Sequence, residues 1–115
     1  MESLRRIYGI VAESVLATMG ADTLAGNTTD AVNARAVLVR CLMDVGLTRR
    51  QIAILSGMSE HTVKKHATMW PERCRSSCIY RNFRLEVRKA VHERVQAIVQ
   101  ESEYESGHGS RRSDT

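Results

Sequence analysis

The chain has 115 residues, enough for one domain at roughly 100–200 residues each. It is 43% hydrophobic but only 4% aromatic, with one proline and seven glycines. The core must therefore come from Leu, Val, Ile, Met and Ala, which excludes a turn-rich β-sandwich, a multi-domain enzyme and a fibrous repeat. The formal charge of +4 is unevenly placed: residues 49–94 hold 11 basic and 4 acidic groups, net +7, and the rest sums to −3. Such a basic half fits a polyanion-binding surface, and fits equally a solvated helical face rich in arginine. The longest apolar runs, such as AVLV at 36–39, fall far short of the ~18–20 residues of a membrane span. No charged segment leading into an apolar one opens the chain as a secretory signal does, and with three cysteines in no regular framework a reduced, cytoplasmic setting is expected.

Residues 3–19 predict an opening helix, because Leu4, Ile7, Ile10, Val11, Val15 and Leu16 recur at three-four spacing. GADTLAGNTTD at 20–30 then marks a loop, in which Asp22 is expected to cap a short turn that carries Leu24 inward. A second helix is predicted from about residue 31 to 45, with Val32, Ala36, Val39, Leu42 and Met43 on one side and Gly46 ending it.

The segment 46–71 is the most legible. Thr48 followed by Gln51 has capping-box spacing, since a hydroxyl and a carboxamide three residues apart satisfy each other's free amides. Ile52, Ala53 and Leu55 supply a short apolar face, and Gly57 the left-handed residue that closes the helix. Ser59 caps the next helix, whose inward residues are Val63 and either Ala67 or Met69, and which Pro71 is expected to stop. Two short helices around a glycine turn make a helix-turn-helix. After a Cys-containing linker, a long helix is predicted over 79–99, with Tyr80, Phe83, Val87, Val91, Val95 and Ile98 on its apolar face. Residues 100–115, polar and rich in Ser and Gly, read as a disordered tail. The expected architecture is all-α: a compact bundle of about five helices over 1–99, containing the helix-turn-helix.

Cys41 lies in the apolar pattern of the second helix and reads as a small buried hydrophobe. His66, Cys74 and Cys78 suggest a zinc site, but a fourth ligand is not evident and the cysteine spacing is not that of structural zinc. No metal or cofactor is expected. His61, His66, His92 and His108 lack a carboxylate or nucleophile at a telling spacing, and there is no Gly-rich phosphate loop, so no enzyme and no small-molecule substrate are expected.

In a helix-turn-helix the second helix enters the major groove and the first crosses the backbone. With Val63 inward, Glu60, His61, Lys64, Lys65 and Thr68 fall on the outer face. Lys64 and Lys65 suit phosphates or guanine edges, Thr62 and Thr68 suit phosphate or base, and Glu60 suits a cytosine amino group. The free amides near Thr48 and Ser59 are natural phosphate contacts, with Arg49 and Arg50 beside the first. The expected DNA-binding set is therefore Thr48, Arg49, Arg50, Ser59, His61, Thr62, Lys64, Lys65 and Thr68.

These residues carry a family resemblance. From about residue 4 to 98 the chain resembles the C-terminal DNA-binding domain of the bacterial replication initiator DnaA, within the Trp-repressor-like helix-turn-helix group. NARAVLVRCLMDVGLTRRQIAILSG is similar to that family's long Ala-Arg helix and its first motif helix. SGMSEHTVKKHA falls on its signature, commonly Gly-Gly-Arg-Asp-His-Thr-Thr-Val with His-Ala two residues later, matched here by Gly57, Thr62, Val63, His66 and Ala67. Arg35 matches the Arg that opens the family's long helix. The departures are on reading positions: Met58, Ser59, Glu60 and His61 stand where the family has Arg, Asp, His and Thr. GNTTD replaces its basic loop. The resemblance implies the fold and double-stranded DNA as partner, carries over only Thr62 as a contact residue, and does not imply recognition of the DnaA box.

The functional expectation is a small DNA-binding regulator of phage or mobile-element type, acting with a second copy or a protein partner. The alternative is a protein-interaction module that keeps the fold without reading DNA. The basic helix at 79–99 also leaves room for an RNA or membrane-surface role.

Overall fold

The computed structural model describes the backbone of residues 2–114 and the side chains of 2–101. The chain is all-helical, with five helices: α1 (Glu2–Met19), α2 (Thr29–Asp44), α3 (Arg49–Ser56), α4 (Glu60–Ser76) and α5 (Ile79–Asp114). The expected tail at 100–115 falls almost wholly outside the residues whose side chains are described. No helix is long and apolar enough to cross a membrane among the described residues.

The α2 helix is the central element. Its Ala31, Ala34, Ala36, Val37, Leu38, Val39, Cys41 and Leu42 are all buried, so apolar side chains cover it nearly all round, as befits a helix enclosed by its neighbours. It touches α1, α3, α4 and α5 in turn. Small residues at its start let the neighbours approach closely, and Leu38 and Leu42 fill the middle. Val11 and Val15 of α1, Ile52 of α3, Val63 of α4 and Val87 of α5 complete the core.

Several local expectations are corrected. The α2 helix starts at Thr29, two residues before the predicted start, because the Thr28 hydroxyl accepts the Ala31 N–H at 3.2 Å. In the preceding loop it is Thr23, not Asp22, that makes the local bond, accepting the Ala25 N–H at 3.0 Å, while Leu24 does pack against the core. Arg35 reaches back from α2 and donates to the Leu24 and Gly26 carbonyls at 2.6 and 2.8 Å, pinning the loop.

Pro71 does not stop α4, which runs on to Ser76. Proline in a helix forfeits one backbone bond and crowds the preceding turn, at a cost of ~3 kcal/mol. Packing on both sides offsets that. Trp70 is buried and stands edge-on to Tyr80, with ring centroids 6.1 Å apart, and Pro71 itself faces solvent. One turn on, Arg73 lies over the Tyr80 ring and donates to Asn33, whose Oδ1 also accepts the Tyr80 hydroxyl at 3.0 Å. The predicted linker is thus mostly the last part of α4, which includes Cys74, and only Ser77 and Cys78 are left to connect it to α5. Of the two inward candidates, Ala67 packs on the core and Met69 does not.

Candidate nucleic-acid interface

The outer surface of α3 and α4 is built by three local devices. The capping box forms as the spacing predicts: Thr48 Oγ1 accepts the Gln51 N–H at 3.2 Å, and Gln51 Oε1 accepts the Thr48 N–H at 2.9 Å. Gly57 adopts φ 79° and closes α3, a conformation that costs an L side chain. Ser59 then starts α4, accepting the Thr62 N–H at 3.1 Å and donating to Thr62 Oγ1 at 2.9 Å. The turn is short because both ends are capped within it.

These caps decide what each side chain has left to offer. The Thr48 and Ser59 hydroxyls are engaged with their own helices, so a ligand at either helix start would meet backbone N–H groups rather than the hydroxyls. Thr62, half-buried, retains its hydroxyl proton for donation. Arg49 and Arg50 are exposed on the first turn of α3. Cations there oppose the helix dipole and cost a few tenths of a kcal/mol, ~0.3–1 at most. An anion placed among them reverses that sign. Glu60 is the opposite case: on the first turn of α4 it complements the dipole, which accounts for an acidic residue on this face without a base to read.

His61, Lys64, Lys65 and Thr68 are all exposed and line one shallow depression of about 390 Å³ with Met69. Their spacing puts them on one side of α4, over two turns. Thr48, Arg49, Arg50 and Ser59 do not line it and stand at the two helix starts instead. Met69, weighed in the sequence only as a core residue, is the member that periodicity did not assign. It sits between Thr68 and buried Trp70, where the apolar pattern alone does not say which neighbour it follows.

The ion pairs among the described residues are Arg40–Asp44, Arg84–Asp44 and Arg94–Glu13. Arg49, Arg50, Lys64 and Lys65 therefore have no described carboxylate within 4.0 Å. Behind this face His66 is half-buried. Its pKa is lowered, first by burial and then by the charges of Arg73, Arg35 and Lys65. The matched His66 and Ala67 are thus packing residues.

Arg35, also matched by the resemblance, is consumed by the loop it pins. That loop carries no basic residue between 20 and 34. Cys74 is half-buried and Cys78 exposed. Among the described residues no group of three or more His, Cys, Asp or Glu is placed to hold a metal. Cys41 is buried, and burial pushes its thiol up to about 12, so it behaves as a core hydrophobe.

Neither a protein-family model nor a curated protein nor a solved structure matches this chain.

Proposed function

We propose that the outer surface of α3 and α4 binds the phosphate backbone of double-stranded DNA, in the manner of a helix-turn-helix with α4 toward the major groove. The observation that carries this reading is the pattern of cation use. Arg49, Arg50, Lys64 and Lys65 are exposed with no carboxylate partner among the described residues and stand on the two helices that flank one short turn, whereas on α5 Arg84 and Arg94 are held in ion pairs and only Arg81, Arg88 and Lys89 are left exposed and unpaired. Arg49 and Arg50 are moreover placed where they cost helix stability unless an anion arrives. His61, Thr62 and Thr68 are the side chains left to face base edges. On this reading the chain is a small nucleoid-associated DNA-binding regulator, without catalytic chemistry of its own.

A second reading is a protein-interaction module on the same fold. It is favoured by the loop before α2, which is pinned by Arg35 and lacks the cations that a minor-groove arm would need.

Fluorescence anisotropy with random-sequence duplex DNA across a salt series separates the two readings. Phosphate binding predicts log affinity falling linearly with log salt, and a slope smaller by about 0.9 for each contacting lysine replaced by alanine. Absence of binding at low salt rejects the DNA reading in favour of the interaction module. A duplex bearing the DnaA box is expected to bind no better than random sequence, because the reading positions differ.

A further inference from the structure

The apolar face of α5 does not end where its cover ends. With 36 residues it is twice as long as α1, the 18-residue helix it packs against most extensively. Val87 is fully buried, but Val95, Ile98 and Val99 are 41, 37 and 42% exposed. Beside them, Val45 at the end of α2 is 44% exposed. A cleft of about 250 Å³ opens here, lined by Ile7, Ile10, Val45, Val91 and Val95, all aliphatic. It adjoins a second hollow of about 320 Å³ that shares Val45, Val91 and Val95 and reaches down to Val11 and Val87.

We propose that this cleft seats α5 of a second copy of the chain, the two helices crossing antiparallel near Val95. The slot lies along α5, and Val91, Val95 and Val99 recur every four residues, forming one ridge of a helix that can enter its twin's slot. Charge identifies the occupant. Residues 81–94 carry five basic and two acidic groups, net +3, and residues 95–101 carry Glu101 and no basic group, net −1. Antiparallel pairing sets each basic half against the other's acidic half, and parallel pairing sets like against like. With Val95 at the two-fold axis, Val91 faces the other chain's Val99, and Arg88 and Lys89 come beside the turn that carries its Glu101. The contact is self-complementary, as a two-fold interface requires. It is independent of the DNA reading, since it uses no residue of the α3–α4 face.

Sedimentation velocity on the full chain over a concentration series tests this. The expected result is a reversible dimer whose dissociation constant rises at least roughly tenfold in Val95→Glu. Arg88→Glu with Lys89→Glu, both on exposed positions, weakens it as well, and adding Glu101→Lys recovers part of the loss. In a Cys74→Ser, Cys78→Ser background, Val95→Cys cross-links to itself and Leu85→Cys does not. A monomer at every concentration overturns the proposal, as does a dimer indifferent to Val95→Glu. Tightening by Arg88→Glu with Lys89→Glu indicates parallel pairing and overturns it too. Should Val95→Glu lower helicity, the Arg88 and Lys89 variant decides alone.

Discussion

Lys64 and Lys65 on α4 and Arg84 and Arg94 on α5 belong to the same basic stretch of sequence, yet the fold employs them differently. Arg84 grips Asp44 with two bonds, Nε to Oδ2 at 2.7 Å and Nη2 to Oδ1 at 2.6 Å, and so fastens α5 to α2. Arg94 reaches Glu13 and ties α5 to α1. Arg73 is spent on Asn33 and the Tyr80 ring. The two lysines touch no described carboxylate. A net charge of +7 over 49–94 therefore overstates the field available to a polyanion, because part of it holds helices together. What has no described carboxylate partner and is exposed divides between two surfaces: Arg49, Arg50, Lys64 and Lys65 on α3 and the outer side of α4, and Arg75, Arg81, Arg88 and Lys89 from the end of α4 along α5. The difference teaches that a basic stretch has to be divided by partner before it is read as a surface.

The comparison is sharpened first by a substitution that strikes the inner side of α4. Trp70→Ala removes a buried ring and its edge contact with Tyr80, and is expected to cost ~3–5 kcal/mol of stability in urea unfolding. It also withdraws the packing that lets α4 pass Pro71, so helicity should fall by more than one residue's worth. A loss below about 1 kcal/mol would mean that something else carries α4 past the proline.

Next comes the α5 anchor. Asp44 is mostly buried and serves both Arg84 and Arg40, and its removal leaves two guanidinium groups facing each other. With Arg84 about a third exposed, solvent screening reduces the penalty, and Asp44→Ala is expected to cost about 2 kcal/mol. DNA affinity of the folded fraction should not change. If it rises, Arg84 and Arg40 were being withheld from DNA by Asp44, and the division between anchoring and free cations is not fixed.

Thr48→Ala is expected to cost ~1 kcal/mol, the usual worth of an N-cap. Because the hydroxyl is occupied by the Gln51 amide, salt-dependent DNA binding at full folding should be nearly unchanged. A lost unit of salt slope would instead make Thr48 a phosphate ligand. His66 adds a smaller, pH-dependent effect. Its folded-state pKa lies below that of the unfolded chain, so the unfolded state takes up the proton first as pH falls. Stability from this group is whole above about pH 6.5 and declines below it, towards the folded-state value. His66→Gln should flatten urea midpoints measured over that window. Equal pH dependence in both proteins would place the titration elsewhere.

Local chemistry was legible in the sequence wherever one or two residues decide it. The Thr48–Gln51 box, the Gly57 closure and the Ser59 cap all follow from residue types at fixed spacing, and with them the position of the turn. The inward set of Val63, Ile52 and Leu42 follows from periodicity. Where a distant partner decides, the sequence was silent. Pro71 reads as a stop until Trp70 and Arg73 find Tyr80 and Asn33 across the fold. Arg84 reads as surface charge until it meets Asp44, 40 residues away. The α5 pattern reads as core as far as Ile98, since periodicity marks which side is apolar and not how far a neighbouring helix covers it. The outer positions of α4 were legible as exposed, but which cations stay unpaired depends on long-range contacts.

The smallest effects on stability are the ones that test function. Lys64→Ala with Lys65→Ala removes two exposed, unpaired charges and should leave stability within about 0.5 kcal/mol, while lowering the salt slope of DNA binding by about 2 if both touch phosphate. Arg94→Ala removes one charge from the same basic stretch, with an equally small cost, since its partner Glu13 is 71% exposed and such pairs are worth ~0–1 kcal/mol. Its salt slope should match that of the unmodified chain. The two variants are thus matched in stability and, compared per charge removed, two against one, differ in whether the lost charge was free. If both reduce the slope equally per charge, binding responds to net charge alone and the α3–α4 face has no special place in it. If only the lysine pair does, the phosphate-contacting surface is on α4.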